Sequence, residues 1–241
     1  PAAQEATDDE ARASGALAYA FDLAPGAERE VALLIPMHAD SPDPRLARGA
    51  SAARRWVAER FAAAERDWAA KLDCVTVELP GPARDLAQTL RAQVGFILVN
   101  RDSGGVQPGS RSYERSWIRD GALTSSALLR MGHADAAREF LDWFAPYLYA
   151  DGKVPCCVDA RGSDPVPEHD SGGEFLFLLA DVVRYTGDAA LARRHWPQAM
   201  RVVAYYDSLR RSTRIDENRA PDRVHFYGLL PPSISHEGYS A

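Results

Sequence analysis

The chain of 241 residues is poor in sulfur, with three cysteines and three methionines. Cys74, Cys156 and Cys157 give no disulfide framework, since neighbours such as Cys156 and Cys157 bridge only with strain. An odd count with no second cluster also speaks against a zinc site, so neither a metal nor a cofactor is expected. Long apolar runs are missing too. Runs such as residues 96–99 and 175–180 fall far short of the ~20 residues that a membrane span needs. Nor is there an excess of positive charge: 28 Lys and Arg stand against 34 Asp and Glu, a formal charge of −6. Nucleic-acid-binding surfaces are normally basic, so neither nucleic acid nor membrane is an expected partner. What remains, 46% hydrophobic and 26% charged residues, is the composition of a soluble globular chain with a sizeable core. It assigns no compartment and no oligomeric state.

Patterning divides the chain. Leu17, Tyr19, Phe21 and Leu23 alternate with small or polar residues, Pro25-Gly26 marks a turn, and residues 31–35 read as a second strand. Such a pair is not stable alone and reads as the last hairpin of a larger sandwich. Over residues 51–72, Val57, Phe61, Ala64, Trp68 and Leu72 recur at helical spacing opposite a charged face, which predicts a linker helix. A brief extended segment through Val75, Val77 and Leu79 ends at Pro80-Gly81-Pro82. With Pro1 at one end and Ala241 within loop-like sequence at the other, the chain reads as a piece of a longer enzyme.

From residue 83 onward the pattern is helical and repeated. Helices are expected over 83–99 (Leu86, Leu90, Val94, Ile97 and Leu98 inward), 120–132, from about 135 (Phe140, Leu141, Phe144, Leu148), 171–185, and 188–212 despite Pro197. The stretches LLRMGHADAAREF (128–140) and VVRYTGDAALARR (182–194) are parallel: an apolar helix reaches an Arg, a Gly, then an Asp that caps the next helix. Links at Gly132 and Gly187 are short, whereas those before Asp120 and Asp170 run to roughly twenty residues. Stacked αα-hairpins behave this way when one end of the array is structural and the other carries the site.

Three loop segments hold the candidate residues. In SYERSWIRDGALTSSALL (112–129), Trp117, Arg119 and Asp120 sit where a long loop enters a helix. An indole face can stack on a pyranose, and a carboxylate beside a guanidinium can accept from and donate to neighbouring sugar hydroxyls. A negative charge is also favoured at a helix N-terminus. The plainer reading makes Asp120 an N-cap with Arg119 as its surface partner. In PEHDSGGEF (167–175), Glu168, His169 and Asp170 lead into the next helix, with capping by Asp170 or Ser171 and Glu174 near N3 as the alternative. Gly172-Gly173 at a helix start is costly unless something approaches closely, which points towards a ligand. In GLLPPSISHEGYSA (228–241), Pro231-Pro232 excludes helix, and Glu237 lies between His236 and Tyr239. The remaining histidines, His38, His133, His195 and His225, show no ligand spacing, and Trp143-Phe144 and Trp196 fit helix packing.

Residues 117–132, WIRDGALTSSALLRMG, resemble the tryptophan–x–arginine–aspartate segment of glucoamylase- and trehalase-like six-hairpin glycosidases. In that family the segment opens the first inner helix, and its Arg and Asp hold the non-reducing sugar. The resemblance implies that role for Arg119 and Asp120; Trp117, Glu168, His169, Asp170 and Tyr239 are read from their positions as further candidate substrate ligands. The early strands and helix are similar to bacterial relatives in which a β-sandwich precedes the helical ring. The implied fold is mainly α: residues 1–45 end a sandwich-like domain, 46–80 form a linker helix and short strand, and 81–241 begin an (α/α)6 toroid. The implied activity is hydrolysis of a terminal, glucose-like, α-linked sugar from an oligosaccharide or glycoside, with inversion, by acid and base carboxylates ~6.5–9.5 Å apart. The family's third loop, or the helix after it, brings the general acid, which makes Glu237 the candidate here. The family's tryptophan-plus-acid pattern is not found beside it, and the base is expected past Ala241. A phosphorylase or lyase on the same toroid, or a non-catalytic glycan- or protein-binding helical-hairpin domain, stays open.

Overall fold

Helical periodicity becomes helix in the computed structural model, which describes residues 16–31, 33, 43 and 49–234. Among these the chain is mainly α, with helices α1 (Ala50–Leu72), α2 (Arg84–Val99), α3 (Ile118–Arg130), α4 (Ala134–Phe144), α5 (Ser171–Thr186) and α6 (Ala189–Ser212). By packing the chain divides into two units, residues 1–67 and 68–241, with the division falling inside α1.

In the first unit the turn at Pro25-Gly26 forms, but the first expected strand does not: residues 16–24 carry no strand, and of the second only residues 31 and 33 are described. Leu17, Phe21 and Leu23 are exposed. Alternation supplies an apolar face, and a strand forms only where a neighbouring strand takes up its backbone bonds. Residues 34 and 35 lie outside the described residues. The helix over 51–72 forms as expected, yet no residue of α1 is buried, and Val57 and Phe61 face solvent. A stripe is buried only where another element lies on it, and this unit describes only extended chain besides α1. At its start α1 is tied by Trp56 Nε1, which donates to Asp43 at 2.9 Å, and by an Arg54–Glu30 ion pair at 2.5 Å.

The second unit is built on two αα-hairpins. Residues 131–133 link α3 to α4, and Gly187-Asp188 link α5 to α6. Gly132 and Gly187 both take the left-handed backbone that ends a helix (φ +86° and +67°). The repeat differs in its caps. Asp188 accepts from the N–H groups of Ala190 and Leu191, whereas α4 starts after His133 and Asp135 lies inside its first turn. Helices α3 and α5 lie side by side and parallel: Arg119 meets Asp170 at their N-terminal ends, and Ser126 meets Asp181 towards their C-terminal ends.

The core lies between these four helices. Ile118 and Ala122 of α3, Phe140, Leu141 and Phe144 of α4, Phe175, Leu178 and Val182 of α5, and Leu191 and Val202 of α6 are all buried. Gly121 allows the closest approach, since a Cβ there would stand 2.1 Å from the Phe140 ring. Phe144 and Trp143 pack as expected, but Trp196 is 62% exposed. His195 is buried rather than superficial, with Nε2 2.7 Å from Asp142.

Helix α2 buries Ala87 and Val94, with Ile97 and Leu98 half-buried, while Leu86 and Leu90 are exposed. The buried stripe is therefore rotated from the expected one. The segment through Val75, Val77 and Leu79 is extended but unpaired. Both long loops carry small strands that periodicity did not announce. The first holds a hairpin of β1 (Arg101–Asp102) and β2 (Gly105–Val106). In a second sheet, β3 (Ser116–Trp117) pairs with β4 (Cys157–Asp159), which pairs with β5 (Gly162–Ser163), all antiparallel.

A candidate carbohydrate site at the N-terminal ends of two parallel helices

Strand β3 delivers its C-terminal end directly into α3, so Trp117 closes the strand and Arg119 opens the first turn. Arg119 does not pair with Asp120 alone on the surface. Its Nε donates to Asp170 at 2.6 Å, and a terminal nitrogen donates to Glu168 at 2.8 Å and reaches Asp170 at 2.5 Å. Glu168 is 5% exposed. Burial alone would depress the Arg119 guanidinium, but the bonds from Glu168 and Asp170 outweigh it and hold the group charged. One guanidinium thus gathers two carboxylates from a segment some fifty positions away.

The capping alternatives do not hold. Asp120 lies at the third position of α3, not at its N-cap, and its carbonyl accepts from Thr124 Oγ1 at 2.7 Å. Asp170 stands at the N-cap position of α5, but its carboxylate turns to Arg119 instead of to the helix N–H groups. Gly172 is also explained differently. A Cβ there would stand 2.1 Å from the ring of Tyr206, so the close neighbour is a side chain of α6 and not a ligand. The Tyr206 hydroxyl accepts from Gly172 N–H at 2.9 Å and donates to the His169 carbonyl at 2.8 Å. Gly173 has open space.

A third segment joins the same end. The N–H of His169 donates to Ser233 Oγ at 3.3 Å, and that of Ile234 donates to the Pro167 carbonyl at 3.3 Å. The loop after α6 therefore reaches the loop before α5. Glu237 and Tyr239, the candidate acid and a candidate sugar ligand, lie outside the described residues. His169 is half-buried, with a sealed Nε2 that finds no hydrogen-bond partner, and burial holds its imidazole below its ordinary range. It is neutral at neutral pH.

Sequence reasoning took Glu174 only as a capping residue. It sits one turn into α5, and burial, then the charge of Asp170, push its carboxyl above the usual range. Spacing carried a signal here, since a carboxylate four positions after Asp170 shares its helix face. Trp117 is half-buried, with the Arg115 guanidinium 5.4 Å above its ring and Tyr113 beside it at 6.2 Å. The Arg115 guanidinium thus lies over the indole of Trp117.

Arg115 anchors the neighbouring sheet, donating to Asp159 at 3.0 Å and to Asp164 at 2.7 Å. It also lines a cavity of about 750 Å³ whose walls include Arg111, Glu114, Trp143, Tyr147 and Arg161. Arg119, Glu168 and Asp170 do not line this cavity. Compared with known proteins, the chain matches no family model, no curated protein and no solved structure. Function must be argued from the site itself.

Proposed function

We propose that the chain belongs to a glycoside-hydrolysing enzyme, with the N-terminal ends of α3 and α5 as the seat of a terminal, glucose-like sugar. The reading rests on one observation: Arg119 in the first turn of α3 and the loop segments Glu168–Asp170 and Ser233–Ile234 come together at one end of the hairpin pair. Successive parallel inner helices with long loops at a single rim are what an (α/α)6 ring requires, and the parallel α3 and α5 support that reading. In this reading Asp120 and Asp170 accept from sugar hydroxyls, Arg119 donates once a ligand competes for its carboxylates, and Trp117 supplies an aromatic ring beside them. The excess of carboxylates over guanidinium suits a neutral, hydroxyl-rich ligand better than an anionic one. Glu237, three residues after Ile234 in the sequence, is the proposed general acid, and inversion is the expected outcome.

The test is titration of the chain with a maltooligosaccharide, followed by tryptophan fluorescence, together with hydrolysis of the same sugar. Asp120→Ala should abolish binding and any turnover while helical content by circular dichroism stays unchanged. Undiminished binding in that variant would end the proposal. Phosphate-dependent cleavage would move the chemistry to a phosphorylase.

A further inference from the structure

Adjacent residues of a strand point to opposite faces, so neighbouring cysteines there should keep their sulfurs apart. Cys156 and Cys157 do not. Cys156 stands just before β4, its carbonyl accepting from Ile118 N–H at 3.0 Å, and the two Sγ atoms approach to 3.7 Å. The backbone then brings in a third donor. The Cys157 carbonyl accepts from Asp164 N–H at 3.0 Å, and Asp164 Oδ2 lies 3.9 Å from Cys157 Sγ. The three donor atoms all lie within 4.8 Å of one another. Both cysteines are essentially without exposure, while the Asp164 side chain keeps 15%.

The 3.7 Å and 3.9 Å edges lie close to those of a tetrahedral centre. With metal–sulfur bonds of about 2.3 Å and a metal–oxygen bond of about 2.1 Å, the sulfur–sulfur edge is about 3.8 Å and the sulfur–oxygen edge about 3.6 Å. The carboxylate is also pre-oriented. Arg115 donates to Oδ2 at 2.7 Å and Val166 N–H donates to Oδ1 at 3.0 Å. We propose that Cys156, Cys157 and Asp164 form a binding site for a thiophilic divalent cation such as Zn²⁺, providing three of its four corners.

Binding forms two metal–sulfur bonds and one metal–oxygen bond and releases two thiol protons to solvent. Two thiolates, one carboxylate and the cation sum to −1, and the Arg115 guanidinium brings the buried assembly to neutrality. Hydrogen bonding to Cys156 and burial push the Cys157 thiol up, so the cation must displace protons and affinity rises with pH. An occupied site would tie β4 to the segment after β5, four residues before Glu168, and brace the loop that presents Glu168–Asp170. The inference is independent of the sugar-binding reading, because no residue of the set is assigned to the sugar.

The experiment titrates the reduced, chelator-dialysed chain with Cd²⁺ alone and follows the ultraviolet thiolate-to-cadmium band. Saturation at one equivalent is expected, with two protons released into an indicator and Zn²⁺ able to displace Cd²⁺. The band should vanish in Cys157→Ser, persist in Cys74→Ser, and need at least about tenfold more Cd²⁺ in Asp164→Asn. Circular dichroism identifies a Cys157→Ser chain that fails to fold, in which case Asp164→Asn decides. No band, a band lost only in Cys74→Ser, unchanged affinity in Asp164→Asn, or a thiol count showing Cys156 and Cys157 already joined would each overturn the site.

Discussion

The two ends of the α3–α5 pair use the same chemistry to different effect. Towards the C-terminal ends, Asp181 accepts from Ser126 at 2.7 Å and from Arg130 at 3.2 Å, one carboxylate against one guanidinium, beside two-to-three-residue links. At the N-terminal ends, one guanidinium holds two carboxylates, a third acid lies a turn away, and two long loops meet. The first arrangement balances its charge and has nothing left to offer. The second sets more carboxylates than guanidinium beside long connections.

The largest expected effect tests that difference directly. Arg119→Ala leaves Glu168 buried without its cation and should cost about 3–5 kcal/mol. Arg130 is half-exposed and Ser126 still donates to the buried Asp181, so Arg130→Ala should cost less, about 1–2 kcal/mol. Urea unfolding of both variants checks this, and equal losses would erase the contrast. Next in size, Gly172→Ala drives a methyl into the Tyr206 ring and should cost about 1–3 kcal/mol. Gly173→Ala, one residue on in open space, should instead stabilise by up to about 1 kcal/mol. The pair of melting temperatures should move in opposite directions.

Tyr206→Phe removes one hydroxyl from two backbone groups at the N-terminal end and should cost about 1–2 kcal/mol. Faster amide exchange at Gly172, with exchange around Asp181 unchanged, would place the loss at that end alone. The smallest effect depends on pH. The Glu174 carboxyl lies above its ordinary value of 4.5 in the fold, so its protonated form is the one the fold favours. Its contribution is complete below that ordinary value and is lost as pH rises through the raised one. Glu174→Gln should therefore raise the melting temperature near neutral pH and leave it unchanged at pH about 3. A gain at both pH values would show that the carboxyl's ionisation is not what matters.

Legibility followed the range of the forces involved. Helices α1, α5 and α6 fall within a residue or so of where periodicity and the Gly132 and Gly187 stops put them. The long and short links gave the hairpin order, and with it the meeting of Arg119 with Glu168 and Asp170. What failed was whatever depends on a distant neighbour. The moment of α2 defines a stripe, but the partners of Ala87 and Val94 decide which part is covered. Strands of two or three residues are too short to show a period. Gly172 was correctly read as a close approach, but only the fold identifies Tyr206 as what approaches. No spacing rule announces that two adjacent thiols will turn towards one carboxylate.

The single hydroxyl of Tyr206 grips the main chain on both flanks of Asp170, at His169 and at Gly172. Asp170 therefore keeps its backbone course while its side chain remains the only part able to change allegiance. A newcomer that draws this carboxylate away from Arg119 needs a rotamer flip rather than a loop rearrangement. Such flips are finished within nanoseconds, so capture at this point would be limited by diffusion to the rim and not by the protein's own hesitation.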